Sequence, residues 1–371
     1  MKVGIFTINT CHNYGAMLQA YATQHALDML GYKSEIVYVY SRDAELKDKR
    51  SCMRASSLKS FLQNLIINLF MSAARQKIKR FNDFHETHLQ LSRRFFSADE
   101  FEQQSPAYDI YLVGSDQTWN LEHGFEGRKL FFLDFIKHTK CKMSYGASFG
   151  TDSIHDKYKA QLKTCLSSFK AISVREQEGV HILNELGLRA TQVMDPTFLV
   201  SPSEWSQMAG DTPLISGDYV FAYGFGDKDE AEALIIQARQ QLNLPIIGTS
   251  ISYFSPFSYD KFYQQAGPIE FLNLIKFSKY VITASYHGAA FAIHFRKDFY
   301  VVRHKTRNSR MQSMLSSIGL DSRCISPTEA LLDFAAIDYT EAAPLIEERS
   351  GSSLKWLQEQ LQNIRTNEQT S

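Results

Sequence analysis

Short runs of β-branched and aromatic residues recur along this chain, each followed by a polar turn and a stretch with helical apolar spacing. Such alternation leaves few folds open beyond a parallel sheet covered by helices. Its clearest instance is Tyr280-Val-Ile-Thr-Ala-Ser-Tyr-His-Gly-Ala-Ala-Phe-Ala-Ile-His-Phe295. Residues 280–283 read as a buried strand and residues 289–295 as the start of a packed helix, so Ser285, Tyr286, His287 and Gly288 fall at the strand's carboxyl end. In open α/β sheets ligands bind along that rim. His287 is there a candidate general acid or base. Gly288 lets a backbone or ligand come close, and the free N–H groups of a helix start favour an anion. The plainer alternative is a structural histidine, since the chain has 11.

The same unit repeats from the amino terminus. Lys2–Ile8 reads as a strand, the turn Asn9–Gly15 follows, and an apolar helix runs from about Ala16 to Leu30 until Gly31 stops it. That turn places Asn13 and Tyr14 on a rim of the same kind; it is not GxGxxG and carries no dinucleotide signal. Further strands are expected at 34–40, 108–113, 142–145, 171–174 and 191–194. The third strand runs into Gly114-Ser-Asp-Gln-Thr-Trp-Asn120, where Asp116 suits an acid or base, an anchor for a sugar hydroxyl, or a helix cap. Arg175 presents paired donors for a carboxylate or phosphate, with an ion pair to Glu176 or another surface acid as the simpler reading. Ser201–Asp218 is rich in serine, glycine and proline and reads as an interdomain linker, after which strands are expected at 219–223, 245–248, 280–283 and 299–302.

The expected fold class is α/β, with two Rossmann-like domains facing a cleft. Residues 1–200 form the first domain, with a helical insertion over about 41–107, and residues 201–340 the second. A helix over 341–371 packs back through Leu354, Trp356, Leu357 and Leu361.

Forty basic and forty acidic residues cancel over 371 residues, so no global field gathers nucleic acid and any anion site must be local. Arg303-His-Lys-Thr-Arg-Asn-Ser-Arg310 is one such local concentration, with four formal positive charges; a solvated charged face is its alternative. Cys11, Cys52, Cys141, Cys165 and Cys324 are scattered without metal-ligand spacing, which suits reduced thiols in a cytoplasmic protein and calls for no metal. The apolar run Val3–Ile8 is too short for a signal peptide. In the insertion, Phe61, Leu65, Leu69 and Ala73 recur at helical spacing and Arg75, Lys77, Lys79 and Arg80 follow. This basic helix near 58–80 either packs on its own domain or makes a peripheral membrane contact.

Six ordered blocks carry a family resemblance: Asn13-Tyr-Gly-Ala-Met-Leu-Gln-Ala-Tyr-Ala22, Tyr111-Leu-Val-Gly-Ser-Asp-Gln-Thr-Trp-Asn120, Ser144-Tyr-Gly-Ala-Ser-Phe-Gly150, Ile172-Ser-Val-Arg-Glu176, Met194-Asp-Pro-Thr-Phe-Leu199 and the His287 block. From about residue 3 to residue 320 the chain resembles the polysaccharide pyruvyl transferase family. The resemblance implies a GT-B-like architecture and transfer of pyruvate from phosphoenolpyruvate to a sugar hydroxyl pair as a ketal, in surface or exopolysaccharide biosynthesis. It implies phosphoenolpyruvate as donor substrate, no cofactor, and a sugar or lipid-linked oligosaccharide as acceptor. By motif, His287 looks like the family's catalytic histidine and Arg175 like its donor arginine, with Ser285, Gly288, Lys305 and Arg307 also on the donor side. Asn13, Tyr14, Asp116, Gln117 and Trp119 are the expected acceptor-side residues. Relatives of this type commonly read Thr-Asp-Ser-Phe-His-Gly, where this chain has Ala284 and Tyr286. Two alternatives therefore stay open: a nucleotide-sugar glycosyltransferase of the same architecture, and a weakly active member that binds sugars or anions.

Overall fold

The computed structural model describes residues 1–9, 12–39, 61–104, 106–122, 124–136, 141–225, 228–251, 259–303, 309–326 and 332–369. Two parallel sheets organise it. The first contains β1 (Lys2–Phe6), β2 (Lys33–Ile36), β3 (Ile110–Val113) and β4 (Cys141–Ser144) in the order β2-β1-β3-β4. A short parallel pair, β5 (Ser173–Val174) and β6 (Thr191–Gln192), continues it through the bridges Met143↔Ala171 and Ala147↔Val174. The second sheet contains β7 (Val220–Tyr223), β8 (Ile246–Thr249), β9 (Lys261–Phe262), β10 (Tyr280–Thr283), β11 (Asp298–Val302) and β12 (Cys324–Ile325), in the order β12-β11-β10-β7-β8-β9. Its neighbours are also parallel.

Every residue of β3, β4, β7, β8 and β10 is buried, as strands covered by helices on both faces must be. That burial explains why β3 and β7 read as unbroken apolar runs rather than as alternating ones. The helices begin where short polar side chains can take their free N–H groups. Asn13 accepts from Ala16 N and opens the helix Tyr14–Met29. Ser201 and Glu204 form a reciprocal capping box, with Pro202 in the first turn.

This last feature changes the reading of Ser201–Asp218. The connection between the sheets does run through it, but its serine and proline start the helix Pro202–Ala209, whose Trp205 is fully buried. Trp205 packs edge-on against Phe291, and Lys276 Nζ donates to Ser206 O and Gly210 O. Residues that flag a linker by composition here mark a helix start.

The two sheets share one core. A single apolar cluster includes Val3 and Ile5 of β1, Val281 of β10 and Phe299 of β11. The helix Ala342–Gln369 closes it with Leu357, Leu361 and Ile364, each buried. Burying each such side chain stabilises by about 1.5–3 kcal/mol.

Residues 41–60 of the expected insertion lie outside the described residues; the described part begins with the helix Phe61–His88. From residue 74 onward its inner face is packed, with Ala74, Lys77, Phe81 and Phe84 buried. Of the cations expected to line a membrane-facing stripe, Lys77 is buried, Lys79 pairs with Asp83 at 2.7 Å and Arg80 with Glu270 at 3.1 Å. The packing thus takes Lys77 and Arg80 toward the protein, while Arg75 and Lys79 stay exposed. Among the described residues no helix is long and apolar enough to cross a membrane.

Candidate active site

The carboxyl rims of the two sheets meet at the start of the helix Tyr14–Met29. Tyr14 reaches out of the first unit and its hydroxyl contacts Thr249 Oγ1 at 3.0 Å, at the end of β8, while its ring stacks on Phe271 at 4.7 Å. One residue on, Gly15 lies against His287: a Cβ added there would come 2.1 Å from His287 Nδ1. The absent side chain is therefore what lets a rim of one sheet touch the histidine of the other.

His287 follows the pattern read from its own stretch. After β10, Ser285 caps the helix Tyr286–His294 by accepting from Gly288 N at 3.4 Å, and Ser285 N donates to Thr283 Oγ1 at 3.0 Å. His287 is consequently placed in the first turn. Its Nε2 faces Asp195 Oδ2 at 3.6 Å, so a proton on that nitrogen points at a carboxylate.

Asp195 joins the groups. It has no exposed surface, yet its Oδ2 accepts from Arg175 Nη1 at 2.7 Å and Ser115 Oγ at 3.1 Å, and its Oδ1 accepts from Thr197 N and Oγ1 at 3.0 and 2.8 Å. Burial alone would push this carboxyl up. His287, Arg175 and the Thr197 N–H together outweigh it and hold Asp195 well below the usual carboxylate range. Burial likewise disfavours the Arg175 charge, but Asp195 reverses this and keeps the guanidinium protonated, with further help from Tyr286 and Asp116.

Arg175 is therefore ion-paired, but not with Glu176 and not at the surface. Its Nη1 is on Asp195, its Nη2 lies 3.8 Å from Asp116 Oδ1, and its guanidinium stacks 4.2 Å above the Tyr286 ring. Nε and Nη2 have no hydrogen-bond partner although both are buried. Glu176 turns away: its Oε1 accepts from Ser148 Oγ and Phe149 N, both at 2.9 Å, and burial pushes its carboxyl up. The basic stretch after β11 contributes Arg310. With the Gln117 amide oxygen turned toward it, that oxygen accepts from Arg310 Nη2 and Nη1 at 2.7 and 2.8 Å. Ser313 on the same helix, Ser309–Ser317, accepts from Gln192 Nε2 at 2.9 Å and so docks it against β6. Burial and the like charge of Arg175 lower the Arg310 pKa.

The expected site residues thus separate into groups. His287, Arg175, Asp116 and Gln117 gather at the junction between the rims, whereas Asn13 caps the helix Tyr14–Met29. Asp116 does not cap a helix; it takes a left-handed backbone, φ 73°, with Oδ1 accepting from Gln117 N at 2.8 Å, a strained conformation of the kind that clusters at functional sites. Three of the expected residues are packed into the protein. Tyr14 is fully buried with its ring stacked and its hydroxyl engaged, so it offers no face to a sugar. Trp119 is also fully buried, its Nε1 donating to Phe131 O at 3.0 Å and its ring packed on Phe149. Gly288 is buried too, and serves packing: a Cβ there would sit 2.3 Å from Thr283 Oγ1, and its N–H is taken by Ser285. Lys305 and Arg307 lie outside the described residues.

Asp195, Ser115 and Thr197 also join the junction, although their residue types in sequence do not single them out, and of the basic stretch Arg310 is the member seen there. A signal for Asp195 exists in Val193-Met-Asp-Pro-Thr-Phe-Leu-Val200, since one charge inside an apolar run must find a buried partner. Nothing in the sequence says which partner. Among the described residues no group of three His, Cys, Asp or Glu side chains is arranged to hold a metal ion.

The sequence matches the family model described as polysaccharide pyruvyl transferase over residues 13–306. No curated protein sequence gives a significant match. Among solved structures, the fold is similar to a UDP-GlcNAc 2-epimerase from Neisseria meningitidis bound to UDP-GlcNAc, with TM-score 0.51 and 12% identity over 98% of this chain and 100% of that one. It is also similar to UDP-N-acetylglucosamine 2-epimerase from Rickettsia bellii, with TM-score 0.53 and 10% identity over 98% of this chain and 96% of that one. At such identities the likeness establishes the fold: two Rossmann-like domains facing a cleft, in a GT-B-like architecture.

Proposed function

The chain belongs to the polysaccharide pyruvyl transferase family, and from that premise we propose that it transfers pyruvate from phosphoenolpyruvate to two hydroxyls of one sugar, forming a ketal and releasing phosphate. The observation that carries this reading is the meeting of Arg175, Asp195 and His287 where the two rims touch. Phosphoenolpyruvate presents a carboxylate and a phosphate. Arg175 brings a charge held on by Asp195 and two N–H groups without protein acceptors.

In this mechanism His287, protonated, gives its proton to the methylene carbon of the donor. The carbon–carbon double bond becomes a methyl group, and positive charge develops at C2. A sugar hydroxyl attacks C2 and returns its proton to His287. The C2–O bond to phosphate then breaks, and the second hydroxyl closes the ketal, its proton leaving with phosphate. Asp195 faces the imidazole and balances its charge in the protonated form, before the proton is given and after it is returned. Asn13, Asp116 and Gln117 are on the acceptor side of this arrangement.

The test is phosphate release from phosphoenolpyruvate in the presence of nitrophenyl and lipid-linked sugars, with the ketal product identified by mass. General acid catalysis contributes about 10²–10⁴-fold, so His287→Gln lowers turnover by that order while the protein stays folded. Near-normal turnover in the variant removes His287 from the mechanism. Consumption of a nucleotide sugar, with no phosphate released from phosphoenolpyruvate under any condition, overturns the proposal as a whole.

A further inference from the structure

A cavity of about 360 Å³ opens between β6, the helix Ser309–Ser317 and the C-terminal helix Ala342–Gln369. Its size lies within the roughly 300–1,000 Å³ typical of small-molecule sites. Arg175 and Tyr286 form one wall and Gln192 of β6 another, while Arg349, Lys355 and Trp356 come from the C-terminal helix. His287 and Asp195 are not among its lining residues.

Three cations, Arg175, Arg349 and Lys355, and one carboxylate, Glu359, line the cavity; Arg175 is already paired through Nη1 with Asp195, so the excess positive charge is that of Arg349 and Lys355 at the mouth. Glu359 sits 3.9 Å from Lys355 with both side chains more than half exposed, a pairing of little strength. The Arg349 side chain makes no hydrogen bond or ion pair among the described residues. At the inner end, the Arg175 side chain is 1% exposed and its Nε and Nη2 lack hydrogen-bond partners. Buried donors on a permanent charge are costly unless something accepts from them. The C-terminal helix is fixed beside the strand by Ser353, whose Oγ accepts from Met194 N at 2.9 Å.

We propose that this cavity binds a phosphate-bearing group, with Arg175 at its inner end and Arg349 and Lys355 at its mouth. Cations converging on so small a space suit a multiply charged anion whose oxygens are spread in several directions, and the guanidinium fork matches phosphate geometry. Arg349 and Lys355 lie beyond residue 306, outside the stretch that matches the family, so membership does not imply their part in this site. The phosphate has two possible sources, phosphoenolpyruvate or the diphosphate of a sugar carrier. Only the first rests on the pyruvyl-transfer reading.

Binding of inorganic phosphate, phosphoenolpyruvate and uridine diphosphate to the full chain, measured by calorimetry without turnover, tests it. Arg349→Ala with Lys355→Ala should weaken the phosphate-bearing ligand about tenfold, since charge-assisted hydrogen bonds contribute about 1.5–3 kcal/mol and tenfold is about 1.4 kcal/mol. Arg349→Glu should weaken it further and Arg349→Lys should recover part of the loss. Both positions are exposed, so an unchanged thermal midpoint accompanies these losses. A loss for phosphoenolpyruvate and inorganic phosphate assigns the cavity to the donor; a loss confined to uridine diphosphate assigns it to a carrier. Unchanged affinities for all three probes in the double variant, or no binding of any probe to the wild type at millimolar concentration, overturn the proposal. Phosphate binding that persists in a protein without pyruvyl transfer would overturn the function proposed above and leave this site standing.

Discussion

Asp195 holds a full negative charge in a place with no exposed surface, and only its neighbours make that stable. Its folded pKa is depressed, by His287, Arg175 and Thr197 acting against burial. A depressed carboxyl contributes stability that is present above its unfolded value, about 3.9, and lost as pH falls from there toward the folded value. Wild-type stability should therefore fall as pH drops below about 4, and Asp195→Asn should flatten that acid limb. At neutral pH the same change leaves Arg175 charged and unbalanced, which costs about 3–5 kcal/mol. Urea unfolding at pH 7, 4 and 3 checks both; parallel acid limbs in the two proteins would show that Asp195 carries no such linkage. Part of this was legible beforehand. His287 and Arg175 stand out by residue type at strand ends, whereas Asp195 stands out only as a charge in an apolar run, and the choice between Asp195 and Glu176 as the partner of Arg175 needed coordinates.

Elements decide how those residues meet. The strand-helix unit around His287 follows from local pattern alone: a buried strand Tyr280–Thr283, a serine cap, then the helix Tyr286–His294. The helix Tyr14–Met29 supplies what that unit lacks, because Gly15 leaves room for the imidazole. Gly15→Ala places a methyl group where His287 Nδ1 now lies, so the ring must shift. Displacing a catalytic group by about 1 Å can cost roughly 10²-fold in rate, and the variant should lose turnover by that order with its circular dichroism unchanged. Full activity in Gly15→Ala would mean that the ring position is not set by this helix. The helix Pro202–Ala209 teaches the reverse lesson: Ser201 and Pro202 look like linker residues until Trp205 is seen to anchor them in the core.

Across the whole molecule the two sheets are tied by groups that look unremarkable in the sequence. Lys77 is fully buried, donates to Ser250 O and Ile251 O, and lies 5.1 Å from the Tyr14 ring. Burial pulls its pKa down to about 7. Between that value and the unfolded one near 10.4, the unfolded chain holds a proton that the folded protein lacks, so this group makes stability rise with pH across that window. Lys77→Met should remove this rise, measured as the difference in unfolding free energy between pH 7 and pH 10; an unchanged difference would place the charge elsewhere. The sequence by itself determined the α/β class, the repeated strand-helix unit, and His287 and Arg175 as candidates, because period and end signals are local properties of a chain. Only the tertiary structure decided that Tyr14 and Trp119 are core, that Asp195 joins Arg175 to His287, and that the C-terminal helix walls a basic cavity. Those outcomes depend on which distant residues share a desolvated space, and no local pattern records that.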